Sequence, residues 1–473
     1  IILRVSIVFK LYNYYKMINK KNINNIFILF LTSHFLIWIF VPSITNLNLP
    51  LDTIEALAWG SNLDWGFNKH PPMSAFAIEL FYFIFGSQDW AYYLLSQIFV
   101  IFSFIIVWNF SNLLTNNNLL CGFVSVILLE TIFFYNFTTP EFNVNVCQLP
   151  FWALTVLYGW KSFQEKRIKN YFLLGIFAAC GFLSKYLFLY LIFSIFLFFI
   201  LMMIRNKKNF LVLLTALPFV IIISPHIFWL FDNEFITITY GLQRAGANDD
   251  IIMSHIYHPL IFLLKQIGIL IPFIFVCFFM FKKTNFRINI KDQKLLYLFF
   301  INILPVMLIL ITSLIMGVKI RTMWMTPFYL FFGVFFVYIF QKKINANNVQ
   351  KFLKVFIVIF LITPVTYFYI SVTETNKRTD YPGKEISRLV QNKWDKNFKN
   401  DIGFVIGDEW SAGNLSYHLR SRPKWYITLP EQNIEMMKSS GVIYTGNPSI
   451  LKKVCPGVFG TIKPTGYCMI GAK

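Results

Sequence analysis

Apolar runs of about 20 residues recur along almost the whole chain, each closed by a short polar segment. A run of that length matches the roughly 30 Å hydrocarbon core of a bilayer, where a backbone exposed to lipid must satisfy its own polar groups and so crosses as a helix. We read spans at 24–41, 91–111, 119–138, 146–163, 171–184, 186–204, 210–231, 259–281, 295–315, 322–340 and 352–371. Composition excludes a soluble alternative: 57% of the 473 residues are hydrophobic and 19% aromatic. The mean hydropathy is +0.59. The expected fold class is an α-helical polytopic membrane protein over 1–372, with about eleven spans and one outer juxtamembrane helix, followed by a small C-terminal α/β domain over 373–473.

The segment 73–86, M-S-A-F-A-I-E-L-F-Y-F-I-F-G, is apolar but short and contains Glu79. Its length suits an interfacial or re-entrant helix better than a span. Charge parity decides the point. If 73–86 does not cross, the basic arm 1–22 and the loops 161–169, 205–208, 282–294 and 342–351 all fall on one side. The positive-inside rule makes that side the cytoplasm. If it does cross, every one of those loops except the arm moves outward. This parity requires 171–184 and 186–204 to form a tight hairpin through Lys185. The net charge of +20 is then a topology signal carried in short loops rather than a nucleic-acid-binding stripe, and no nucleic-acid partner is expected. The chain starts with Ile, Met17 is read as an alternative start, and the first span is expected to be retained.

With the loops so placed, the outward side is nearly free of Lys and Arg. The exceptions in the membrane region are Lys69, Lys185, Arg244, Lys319 and Arg321. Cations on the side that topology disfavours need another reason, and binding of an anion such as a phosphate supplies one. The competing reading is a snorkelling surface residue. The two are balanced for Arg321 at a span end, whereas Lys69 and Lys185, inside polar–apolar junctions, favour function. Other polar groups gather on the same face, in 43–72, in T-T-P-E-F-N-V-N (138–145) with Glu141 and Asn143, and in 232–258 with Tyr240.

The densest stretch is Asp52–Pro72, D-T-I-E-A-L-A-W-G-S-N-L-D-W-G-F-N-K-H-P-P. Asp52, Glu55 and Trp59 are spaced to share one face of a helix. A carboxylate in a partly dry cleft has its pKa raised, as suits a general base. Asp52 alone reads equally as a helix cap. Its company argues for chemistry: Glu55 and Asp64 are nearby, and Lys69-His70 precede two prolines that stiffen the chain.

These residues resemble the first outer loop of the glycosyltransferase family 39 proteins. Those are GT-C-fold enzymes that include the lipid A aminoarabinose transferases and protein O-mannosyltransferases. Further matches are F-N-V-N-V-C-Q-L-P-F-W-A-L-T (142–155), L-S-K-Y (183–186), S-P-H-I-F-W-L (224–230) and K-I-R-T-M-W (319–324), so the resemblance covers most of 45–330. It implies transfer of a sugar from a polyprenyl-phosphate donor to lipid A or another envelope acceptor, in a bacterial inner membrane with the active site facing the periplasm. It makes Asp52 the catalytic residue, with Glu55 beside it. Lys69 and His70 would contact the carrier phosphate. Beside what the resemblance implies, the outward residues Asp64, Glu141, Asn143, Lys185, Tyr240, Arg244, Lys319 and Arg321 are read as completing the substrate and phosphate site. Two departures matter. Thr53 stands where many relatives have Glu, and Lys69-His70 replaces the Glu-Lys that in aminoarabinose transferases supplies a metal ligand. A divalent metal stays open as a cofactor, with His255 and His258 as spare ligands, although two lone His on a loop are more often simple polar residues.

Rival readings are a flippase for a lipid-linked sugar, which would carry inverted repeats and broken midplane helices, and a polymerase or ligase of surface glycan. No repeat is visible in the sequence. Cys121, Cys147, Cys180 and Cys277 read as packing residues. Cys455 and Cys468 lie in the tail and are either a disulfide or two free thiols. In that tail a helix is expected after Pro382-Gly383, with strands at Ile402–Ile406 and Val442–Tyr444.

Overall fold

The computed structural model describes residues 20–205, 209–246, 252–281, 289, 291–344, 346–429 and 434–473. The expectations for the basic arm and Met17, and for most of the loops 205–208 and 282–294, lie outside the described residues.

The apolar runs become helices joined at two ends of a bundle. In chain order they are α1 (Lys20–Thr45), α2 (Leu51–Gly60), α3 (Met73–Phe85), α4 (Asp89–Leu114), α5 (Leu119–Ile127), α6 (Val144–Glu165), α7 (Ile168–Ser184), α8 (Leu189–Ile204), α9 (Ala216–Asp232), α10 (Ile236–Arg244), α11 (Ser254–Phe281), α12 (Gln293–Met316), α13 (Phe332–Phe340) and α14 (Ala346–Thr373). Among the described residues seven helices are long and apolar enough to cross a membrane, or eight if a bent pair counts as one span.

The remaining expected spans differ for physical reasons. Span 119–138 breaks after α5 into 3-10 turns at Leu128–Thr131 and Phe133–Tyr135. Buried polar groups hold the break. Asn136 Nδ2 donates to the Glu130 carbonyl at 2.6 Å, and the Glu130 side chain pairs with His34 of α1. Residues 121–132 of this run are buried inside the protein, so their apolarity reports packing rather than lipid contact. Span 146–163 is the long helix α6, whose buried Asn145, Gln148 and Thr155 make it an interior element. Helix α7 has only 17 residues. Segment 322–340 is a 3-10 stretch (Thr322–Tyr329) followed by α13, bent by 44°, with Pro327 next to the bend. Nor do 171–184 and 186–204 pack as a tight hairpin. They part at Lys185, whose backbone is extended, so that α7 lies on α6 and α9 while α8 lies on α12.

The juxtamembrane helix forms as expected. It is α3, 13 residues packed on α2, with Leu80, Phe83 and Ile84 turned outward and Gly86 ending it at φ 60°. The same end of the bundle holds the C-terminal domain, a five-stranded sheet in the order β2-β1-β3-β5-β4. Its strands are β1 (Phe404–Ile406), β2 (Lys424–Tyr426), β3 (Val442–Gly446), β4 (Val458–Ile462) and β5 (Thr465–Ile470). β1 runs parallel to β2 and β3, while β5 is antiparallel to β3 and β4. The helix after Pro382 is α15 (Gly383–Asn397), which buries Ile386, Val390 and Trp394. α16 (Ser411–His418), α17 (Ile434–Ser440) and α18 (Pro448–Val454) complete the layer.

Cys455 and Cys468 form a disulfide, which resolves the alternative left by the sequence. They are 13 residues apart, and closing a loop of that size is worth about 3 kcal/mol. A Cys455→Ser, Cys468→Ser double variant should therefore lower the melting midpoint of the C-terminal domain; an unchanged melt would show that this domain does not depend on the link.

The domain is fastened to the loop helices by Arg422. Its guanidinium donates to Glu79 of α3 at 2.5 Å, to the Leu57 carbonyl of α2 at 2.6 Å and to Ser416 Oγ at 3.1 Å. It also stacks on Tyr82 at 4.0 Å. Trp425 N–H donates to Ser61 Oγ at 2.9 Å, and the Leu47 and Asn48 amides donate to the Thr379 carbonyl.

Candidate active site

The stretch Asp52–Pro72 folds as the short helix α2 and a loop that returns beneath it. Pro50 occupies the cap position, so Asp52 lies inside the first turn and is not the capping residue. Among the described residues no hydrogen bond engages its carboxylate. Its backbone N–H donates to Glu141 Oε1 at 3.2 Å, while Thr53 Oγ1 donates to the Phe142 carbonyl at 3.1 Å. Glu55, one turn on, accepts from Lys69 Nζ at 2.8 Å. Trp59, fully buried, stacks on Phe67 and meets His70 edge-on, both with centroids 5.7 Å apart. The helical spacing read from the sequence is thus realised.

The return loop is pinned from the bundle. His226 Nδ1 meets the Trp65 carbonyl at 2.6 Å while its Nε2 meets Tyr186 Oη at 2.7 Å. Thr237 Oγ1 donates to the Phe67 carbonyl at 2.6 Å. Gly66 lies so close to Trp229 that a Cβ would fall 2.3 Å from the ring, so no larger residue fits there. These contacts place Lys69 and His70 beside α2.

Lys185 arrives from the break between α7 and α8. It is 6% exposed. Its ammonium donates to Asn145 Oδ1 at 2.6 Å and lies 5.1 Å from the Trp324 ring centroid. Four of the five outward cations, Lys185, Lys69, Arg244 and Arg321, act electrostatically on Asp52. Burial raises the Asp52 pKa and those four charges oppose the rise. Burial likewise raises Glu55, against the hydrogen bond and charge of Lys69. Glu141 is raised by burial and then by the Asp52 charge. Burial works against the Lys69 ammonium, but Glu55 and Glu409 outweigh it and leave its pKa above the ordinary value. For Lys185 burial dominates, pushing the pKa down to about 7 in spite of Asp52.

The other site residues read from the sequence lie as follows. His70 is expected to contact the carrier phosphate. Burial, followed by the charges of Lys185, Lys69 and Arg244, pushes its pKa down to about 3, so it is a neutral imidazole that can offer a hydrogen bond but no charge. Asn143 caps α6, its Oδ1 accepting from the Asn145 and Val146 amides at 2.9 and 3.1 Å, and the residue that grips Lys185 is Asn145. Asp64 is exposed, and its carboxylate accepts from the Trp65 amide. Lys319 is exposed at the rim, its amide bonded to the Ala245 carbonyl. Arg244 is exposed at the end of α10 beside Tyr240, 5.9 Å from that ring. The rings of His255 and His258 face the carbonyls of Leu314 and Gly317. Among the described residues no three of His, Cys, Asp and Glu gather as a metal's donor set.

Sequence reasoning missed Glu409, which reaches Lys69 Nζ at 3.1 Å from the C-terminal domain, and it missed Asn145 and Arg422.

Residues 69–229 match the family model described as Dolichyl-phosphate-mannose-protein mannosyltransferase. Among solved structures, ArnT from Cupriavidus metallidurans bound to undecaprenyl phosphate superposes with a TM-score of 0.62, covering 93% of this chain and 97% of that one at 10% identity. The chain has the GT-C glycosyltransferase fold. The apo ArnT structure from the same organism superposes with a TM-score of 0.59 at 9% identity. No curated protein sequence matches. At these identities the likeness speaks for the fold, and the family match covers the return of the first loop, α6 and Lys185.

Proposed function

We propose that this protein is an inverting glycosyltransferase that moves a sugar from polyprenyl phosphate to lipid A or another envelope acceptor, at the periplasmic face of a bacterial inner membrane. The observation that carries this reading is the set of cations that act on the Asp52 carboxylate: Lys69, Lys185, Arg244 and Arg321. The family match over 69–229 and an ArnT structure bound to undecaprenyl phosphate support the carrier.

The carrier tail lies in lipid and its phosphate enters among these cations. The acceptor oxygen attacks the anomeric carbon from the face opposite the phosphate. The bond from that carbon to the phosphate oxygen breaks, its electron pair stays on the phosphate, and the acceptor proton passes to Asp52. The positive groups stabilise the charge that develops on the departing phosphate. His70, neutral, offers a hydrogen bond at the same place. An acceptor that is itself a phosphate is already ionised, and Asp52 then positions the sugar, with Glu55 and Asp52 facing its ammonium if the sugar carries an amine.

The pH dependence follows from Lys185. The kcat/KM profile reports the free enzyme. The ammonium is held only up to about pH 7. Donor use should therefore fall above that pH by about tenfold per unit, because the neutral amine no longer draws the phosphate. Lys185→Arg, whose charge persists, should flatten the decline. A flat wild-type profile would remove Lys185 from the phosphate site.

The acceptor is tested by mass spectrometry of lipid A from cells with and without the gene. Loss of a hexosamine- or pentosamine-sized increment assigns lipid A and the sugar class. An unchanged spectrum removes lipid A as acceptor and directs the search to surface glycan and glycoprotein.

A further inference from the structure

Glu409 lies on the loop from Gly407 to Trp410, between β1 and α16, and each neighbour in that loop is fixed. Gly407 has φ +145° and packs so closely that a Cβ would fall 2.1 Å from Thr445 Oγ1. Its amide donates to the Tyr426 carbonyl at 3.1 Å, and its carbonyl accepts from Trp425 Nε1 at 3.1 Å. The Asp408 carboxylate accepts from the Trp410 and Ser411 amides at 2.9 and 2.8 Å. The Trp410 ring packs against Arg378 and Tyr381, at 5.0 and 5.2 Å. With its neighbours held, Glu409 leaves its own domain. Its Oε1 accepts from Lys69 Nζ at 3.1 Å and from Asn68 Nδ2 at 2.9 Å.

This is not an ordinary surface pair. The Lys69 and Glu409 side chains are only 18% and 12% exposed. Lys69 already has a partner in Glu55 at 2.8 Å. The group Glu55–Lys69–Glu409 thus carries two negative charges and one positive, a net charge that repels an incoming phosphate. For Lys69 to serve an anion, one carboxylate must yield. Glu55 sits on α2, one turn from Asp52, and holds the ammonium at the shorter distance, 2.8 Å against 3.1 Å for Glu409. Glu409 sits on the C-terminal domain, which is docked against α2 and α3.

We propose that Glu409 is a gate on Lys69: it occupies the ammonium until a carrier phosphate displaces it, and so couples the C-terminal domain to donor binding. This rests on the carrier reading of the site. Glu409 is a positioning residue, acting through Lys69.

The test uses the full-length protein in detergent micelles, with two readouts. The first is the acylation rate of Lys69 by acetic anhydride, read by peptide mass spectrometry without any lipid. Glu409→Gln keeps shape and removes charge, and should speed acylation of Lys69 several-fold because the ammonium loses one of its two anionic holders. The second is the Kd for undecaprenyl phosphate, which should tighten several-fold in the same variant because the competing anion is gone. Glu409→Ala must move both in the same direction. A purely structural ion pair would loosen the phosphate site and weaken binding, and that result overturns the proposal. So does an unchanged acylation rate. Wild-type protein that binds no undecaprenyl phosphate overturns the carrier reading and with it the gate's occupant, while the acylation comparison still decides whether Glu409 holds Lys69.

Discussion

An Asp52→Asn variant is expected to lose sugar transfer by about 10²- to 10⁴-fold, the range that a positioned acid or base contributes, while melting like wild type. The substitution keeps size and removes charge and basicity. Among the described residues the Asp52 carboxylate makes no hydrogen bond that the fold would miss. Its backbone amide keeps Glu141 in place, so local structure should survive. Losing the anion also leaves Lys69, Lys185, Arg244 and Arg321 with one less counter-charge. The variant should therefore bind polyprenyl phosphate at least as tightly as wild type while transferring sugar far more slowly. Weaker binding together with lost activity would instead mark Asp52 as a residue that builds the pocket.

The second large effect belongs to Arg422. Its guanidinium satisfies Glu79, the Leu57 carbonyl and Ser416 at once while stacking on Tyr82. Arg422 and Glu79 are 14% and 17% exposed. Removing one partner of such a pair strands the other, at a cost of about 2–5 kcal/mol. Arg422→Ala should release the C-terminal domain from α2 and α3. It should be read as faster proteolysis near residues 374–382, a lower melting midpoint and loss of transfer through the displaced α2. Arg422→Lys should not rescue, because a single ammonium cannot reproduce the fork. Wild-type protease resistance in Arg422→Ala would show that the domain is held by other contacts.

The parts of the site legible in the sequence share one property: they are ionisable or amide groups set against apolar chain. Asp52, Glu55, Lys69 and Lys185 stand out because a bilayer makes charge costly, and their helical or junction spacing was enough to place them. The same contrast is absent in the C-terminal domain, where charged residues are common. Glu409 and Arg422 therefore carried no signal, and they lie 341 and 343 positions from Asn68 and Glu79, which they meet only in the fold. The charge state of His70 was illegible for a different reason. Whether an imidazole is protonated depends on which cations surround it in space, and three of them do. Asn143 and Asn145 are two residues apart, and only the start of α6 decides which caps and which faces Lys185.

The fold shows the same division. Run length identified the long helices. It misjudged 119–138 because an apolar run looks alike whether lipid or protein surrounds it. The buried His34–Glu130 pair and Asn136 determine where that segment breaks. The tight turn expected at Lys185 failed because that residue is drawn inward to Asn145, which parts α7 from α8.

The most direct test of the account is transfer in liposomes. Purified wild-type and Asp52→Asn proteins would be reconstituted with polyprenyl-phosphate sugars and an envelope lipid extract, and the free polyprenyl phosphate and glycosylated product counted. Wild type is expected to release one polyprenyl phosphate for each sugar transferred, and Asp52→Asn at least about 10²-fold less. Transfer in Asp52→Asn at close to the wild-type rate, or sugar lipid that merely changes leaflet with its phosphate bond intact, would contradict the assignment.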